Sequence, residues 1–193
     1  MKHSSAYHRY FQGFSEYYEE QDNGKFKINR VYTGLYYVSA QPMKQRIIRK
    51  VLLCLIWSAA VAVFLLCSAN SNLINKWFLI NAFQAGEIVG AVWTLSGLFN
   101  LIIQPSKLTV GQWNCSSARL RNGSLFFAVV SALASVASIV WTVNNAKPEN
   151  WTIIMGYAIC CGLMILENRI EAGTIYNNIM SENTVPAEAA RIQ

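Results

Sequence analysis

The chain has 193 residues, of which 53% are hydrophobic and 13% charged, and its net charge is +6. The charged share is about half that of an ordinary globular domain, too little to cover a soluble fold of this oiliness. The basic residues cluster beside apolar runs instead of forming an exposed patch, which sets nucleic-acid binding aside.

Residues 1–50 are polar and rich in tyrosine, with seven of the nine tyrosines at positions 7, 10, 17, 18, 32, 36 and 37. That is too aromatic for a plain solvated tail. Asp22-Asn23-Gly24 is a turn signal between Phe14 to Glu20 and Lys25 to Val38, both rich in aromatic or β-branched residues, so a small cytoplasmic β-hairpin is expected here. A lone hairpin is marginal in water and needs support from the membrane surface, the middle loop or another copy. No cleaved leader is expected, because the first apolar run starts only at Val51 and serves as its own insertion signal.

Directly before that run lie Lys44, Arg46, Arg49 and Lys50. Positive charge at this position marks the cytoplasmic end of a membrane helix, and the cluster is also a candidate surface for anionic lipid headgroups.

Four apolar stretches follow, at about 51–69, 77–103, 125–143 and 151–172. A hydrocarbon core of about 30 Å takes about 20 helical residues. The first stretch, Val51 to Ala69, carries no charge. The second, Trp77 to Ile103, is bracketed by Trp77 and Pro105 and carries Glu87 near its middle. The third, Leu125 to Val143, is rich in Ala, Ser and Val. The fourth starts at Trp151 and stays apolar to Leu166; to cross fully its helix must run on through Ile170 and toward Ile179, with Arg169 at headgroup level.

The links Asn70 to Lys76 and Asn144 to Asn150 are short, so the helices form two antiparallel hairpins joined by a cytoplasmic loop, Gln104 to Ser124. The expected fold is an all-α membrane protein, a four-helix transmembrane bundle over 51–180, with a loose tail over 181–193. Lys and Arg number fourteen on the side of the termini and the middle loop and two, Lys76 and Lys147, in the short links. The positive-inside rule then puts both termini in the cytoplasm of a plasma-membrane protein.

Glu87 is the residue most worth weighing. A carboxylate deep in hydrocarbon faces the bundle interior and marks a proton or cation site, or else ties helices together by hydrogen bonds. Gln84, Glu87, Gly90, Ala91, Thr94 and Gly97 share one helical face, opposite Phe83, Val89, Trp93 and Phe99. Gln84, Glu87 and Thr94 are therefore the candidate intramembrane polar site, with Ser131, Ser135 or Ser138 as expected partners. Small residues four apart, such as Gly86 and Gly90 or Ser58 and Ala62, permit close helix approach within one chain or between copies.

Cys54, Cys67, Cys115, Cys160 and Cys161 make no C-x-x-C pair, and four lie in apolar stretches, so they read as packing residues. His3 and His8 lie near a terminus, and neither a metal site nor a cofactor is expected. The sequons Asn114-Cys115-Ser116 and Asn122-Gly123-Ser124 fall on the cytoplasmic side, and Asn150-Trp151-Thr152 touches the membrane, so none reads as glycosylated. No nucleotide-binding, zinc-protease or serine-hydrolase motif is present, and no catalytic residue is assigned.

The reading is a non-enzymatic tetraspan protein acting as an accessory, sensory or scaffolding subunit, in contact with lipid and with a second copy or another membrane protein. A small transporter or channel using Glu87 is the first alternative. A membrane enzyme built at the interface around Glu167, Arg169 and Glu171 is the second.

Overall fold

The computed structural model describes residues 13–20, 25–70, 72–145 and 150–181. The expected turn at Asp22-Asn23-Gly24, the two histidines, most of the link before Asn150 and the tail from Glu182 lie outside the described residues. The chain is mostly helical, with a small β-hairpin near its N-terminus, and divides into two compact units.

The first unit comprises Met1–Ala40, Gln104–Asn114 and Ile175–Gln193. Its hairpin is β1 (Phe14–Glu20) paired antiparallel with β2 (Phe26–Tyr32), Phe14 opposite Tyr32 and Glu20 opposite Phe26. Glu16 and Arg30, also opposite one another, form an ion pair at 2.7 Å, and Asn29 donates to Glu19. The apolar run does not continue straight to Val38. It breaks at Thr33-Gly34, and β3 (Leu35–Ser39) enters a second sheet, in which it is central between β4 (Lys107–Thr109) and β5 (Tyr176–Met180), both antiparallel to it.

Tyr32 holds this unit together. Its hydroxyl donates to the Leu35 carbonyl at 2.6 Å and accepts the Val110 amide at 3.1 Å, while its ring meets Phe14 edge-on at 5.0 Å and Tyr36 at 4.8 Å. Ser181 donates to the Tyr32 carbonyl at 2.8 Å, so residues from three parts of the chain converge on one residue. A side chain at Gly13, whose φ is +85°, would meet the Tyr32 ring at 2.8 Å, so glycine is required there by conformation and by space.

The second unit comprises Gln41–Ile103 and Cys115–Thr174 and holds nearly all of four helices long and apolar enough to cross a membrane: α1 (Met43–Ser68), α2 (Phe78–Ile103), α3 (Val110–Asn145) and α4 (Trp151–Ala172). Pro42 starts α1 eight residues ahead of its apolar run, because Lys44 to Lys50 are good helix formers and Pro suits a helix entrance. Similarly α3 begins at Val110, far ahead of Leu125. Thr109 accepts the Gln112 amide at 3.3 Å and Gln112 accepts the Thr109 amide at 3.0 Å, a reciprocal cap. A π-turn over Asn114–Ala118 follows, and most of the expected middle loop is thus helical.

The fourth helix runs on through Ile170, as expected for a span over 151–172, but not to Ile179. It ends at Ala172, where Gly173 and the β-branched pair Thr174-Ile175 follow, and Tyr176–Met180 pairs with β3 instead.

Within this unit α3 packs between α2 and α4, and α1 packs on α4 with a lesser contact to α2. α1 turns Leu53, Ile56, Ala60, Phe64 and Cys67 inward at helical spacing. Glycines set the α2–α3 distance. A Cβ at Gly97 would lie 2.5 Å from the Leu120 amide nitrogen, one at Gly123 2.8 Å from that of Thr94, and one at Gly90 2.9 Å from Phe127 Cβ. Gly156 of α4 is likewise pressed against the Cys67 sulfur. Ser58 and Ala62, by contrast, are exposed and form no seam within the chain.

Gly97→Ala should cost about 1–3 kcal/mol, since backbone must move to admit the methyl group. Gly162→Ala, with nothing within 4 Å of the new atom, should be neutral or stabilising by up to about 1 kcal/mol through helix propensity. Unfolding of the two variants in one detergent compares them directly; equal effects would contradict the close approach.

Candidate functional site

The inward face of α2 is the one its spacing predicts: Glu87, Gly90, Ala91, Thr94 and Gly97 are buried and Gln84 is half-buried. Phe83, expected on the opposite face, is also half-buried and packs on the core.

Glu87 is fully buried, and its Oε1 accepts the Ser131 hydroxyl of α3 at 2.6 Å. Its Oε2 has no hydrogen-bond partner. Of the other candidate serines, Ser135 donates to the Ile154 carbonyl at 3.4 Å, and Ser138 is buried with its hydroxyl unpartnered.

Gln84 belongs to a different set of contacts. Its amide nitrogen donates to the Tyr157 hydroxyl of α4 at 2.9 Å and to Asn75 Oδ1 at 3.1 Å. Asn75 in turn donates to the Cys67 carbonyl at 2.8 Å and the Asn70 carbonyl at 2.7 Å, closing the C-terminal end of α1. Thr94 sits about 15 Å along the helix from Gln84 and donates back to the Gly90 carbonyl of its own helix at 2.8 Å. The three candidate residues therefore share a face without converging on one point: Gln84 reaches α4, Glu87 reaches α3, and Thr94 is satisfied within α2.

Two members of this network, Asn75 and Tyr157, were not singled out by sequence reasoning. A signal existed for one of them, since Tyr157 is the sole tyrosine within the four apolar stretches.

The basic cluster separates into distinct roles. Lys44 is exposed, and Arg46 is half-buried with its Nε unpartnered. Arg49 is buried and forms an ion pair with Glu171 at 3.8 Å. Lys50 donates to the Ile102 carbonyl at 3.2 Å, a cation at the negative end of α2. A shallow apolar cleft of about 560 Å³ lies between α1 and α4, lined by Val63, Cys67, Trp151 and Ile159 among others, and does not include Glu87. Among the described residues no three His, Cys, Asp or Glu side chains converge as a metal-ligand set.

Comparison of the chain with protein-family models, with curated proteins and with solved structures gives no match.

Glu87→Gln keeps an acceptor for Ser131 in the same shape, and should unfold close to the parent. Glu87→Leu leaves the Ser131 hydroxyl buried without its partner and should lose about 1–3 kcal/mol. Thermal unfolding of both variants in lipid nanodiscs reads the difference.

Proposed function

We propose that the chain is a multi-pass plasma-membrane protein with both termini in the cytoplasm, a tetraspan serving as a non-enzymatic accessory, sensory or scaffolding subunit. Membrane placement is supported by the way the helices distribute polarity. Large apolar side chains such as Leu66, Val92, Phe99, Val129, Val136 and Met155 point outward, while Glu87, Ser131 and Glu167 are buried inside. Hydrocarbon, not water, is the solvent that suits such a surface.

The observation that carries the functional reading is the sheet β4-β3-β5. Its strands come from before α1, between α2 and α3, and after α4. Segments that pair in one sheet share one side of a bilayer, and the fourteen-to-two distribution of Lys and Arg favours the cytoplasmic side. Three separate extramembrane segments thus build one shared surface, which suits recognition by another protein or a second copy. Exposed Lys44 and half-buried Arg46 suit contact with anionic lipid.

Two measurements test this. Extracted from its own membrane into native nanodiscs, the chain should travel in particles holding more than one copy of the 21.7 kDa chain or a stoichiometric second protein. Particles containing a single copy and no other protein would end the subunit reading. For orientation, cysteine at Lys76 in a chain whose native cysteines are replaced should react with an impermeant thiol reagent on intact cells, and cysteine at Lys107 only after permeabilisation.

A small transporter or channel is the second reading, favoured by the unpartnered Oε2 of fully buried Glu87. It requires that Glu87→Gln change proton or cation flux, or its pH dependence, in reconstituted vesicles; unchanged flux would remove it.

A further inference from the structure

Glu167 and Glu171 stand one turn apart on α4, so both leave the helix on one face. They are 0% and 1% exposed, whereas Arg169 between them is exposed. Glu171 has a cation, with its Oε2 lying 3.8 Å from Nη1 of buried Arg49 on α1. Glu167 has none. Both of its carboxyl oxygens are sealed from solvent without a hydrogen-bond donor, and among the described residues it takes part in no ion pair.

The groups around it offer no relief. From α1, the Cys54 thiol and Arg49 face this end, with half-buried Arg46 one turn earlier and Lys50 turned to the Ile102 carbonyl. From α4, Glu171 adds a like charge. α2 has no ionisable residue after Glu87. On α3, Arg119 donates to Ser96 Oγ at 3.0 Å, and Arg121 is exposed. Leu53, Leu98, Leu101 and Leu120 form the buried apolar cluster at the same end, with Cys54 and Ile170 packed on it. An ionised carboxylate without donor or counter-ion costs far more there than a neutral carboxyl does.

We propose that Glu167 is a proton-binding site that latches α4 to α1, its neutral carboxyl lying beside the Glu171–Arg49 ion pair. Water supplies and takes back the proton, and no other bond changes. When the proton leaves, a second negative charge faces Glu171 with one guanidinium to serve both, and the two helices part at this end. The site is independent of the membrane and subunit readings, because the burial comes from the protein itself.

The test uses the full chain in lipid nanodiscs, with Glu87→Gln as the background so that the other buried acid without a cation is silent. Infrared spectra at neutral pH should show the C=O stretch of a buried protonated carboxyl. Glu167→Gln in that background should abolish the stretch. Raising the pH should remove it in the background chain and lower the amide-exchange protection of the first turns of α1 and the last turns of α4 by about tenfold or more, an opening of local structure. With Glu167→Gln that protection should no longer depend on pH. A background chain without the stretch at neutral pH, a stretch that survives Glu167→Gln, or the same pH response in both chains would each overturn the proposal. Should Glu167→Gln fail to fold, the stretch in the Glu87→Gln chain and its loss with pH decide alone.

Discussion

The near contact of α2 and α3 at Gly90, Gly97 and Gly123 is the constraint on which the rest of the helical unit depends. Backbone atoms approach so closely that a methyl group at any of these positions would overlap the facing helix. At that separation a short hydroxyl suffices, and Ser131 reaches the Glu87 carboxyl at 2.6 Å without a bridging water. A wider crossing would leave Glu87 without its donor in an apolar interior, where an unpaired polar group is costly. Close packing and polar satisfaction are therefore one arrangement, and α4 completes it from the other side through Tyr157 and Gln84.

The helices and the inward face of α2 were legible in the sequence because a single physical quantity governs both. Long apolar runs announce a helix, and the 100° rotation per residue assigns Gln84, Glu87, Thr94 and Gly97 to one side whatever the helix packs against. The hairpin was legible too, since aromatic and β-branched residues on either side of a turn signal are a local property. β4, β5 and the pairing of β3 with them were not. Both strands are short, and Tyr176–Met180 reads as the continuation of a helix until β3 competes for it. That competition is a tertiary effect, invisible to any window of neighbouring residues.

Charge was the least legible feature. Proximity in sequence groups Lys44, Arg46, Arg49 and Lys50 as one surface patch, yet rotation about α1 sends Arg49 inward to Glu171 and directs Lys50 to the end of α2. In the same way Glu167, Arg169 and Glu171 resemble the solvated end of a helix. Their spacing holds the correction: residues four apart share a face and the residue between them does not, so exposing Arg169 and burying both glutamates are a single choice. The 100° rotation per residue that puts Glu87 on the inward face of α2 puts Glu167 and Glu171 together on one face of α4.

The two buried acids of the bundle that have no cation, Glu87 and Glu167, then differ in kind. Glu87 has a hydroxyl donor supplied by a helix held at contact distance, and glutamine can stand in for it with the same shape. Glu167 has no donor among the described residues, and Glu171 on the same face of α4 is a like charge. A carboxyl that packing alone excludes from water, next to a carboxylate already committed to an arginine, has little to contribute as helix glue, because glue requires a partner. Its burial has to be explained by a neutral form, and a neutral form makes the contact between α1 and α4 conditional on a proton. Glu87 thus joins α2 to α3 through Ser131, whereas the protonation state of Glu167 can change how α4 meets α1.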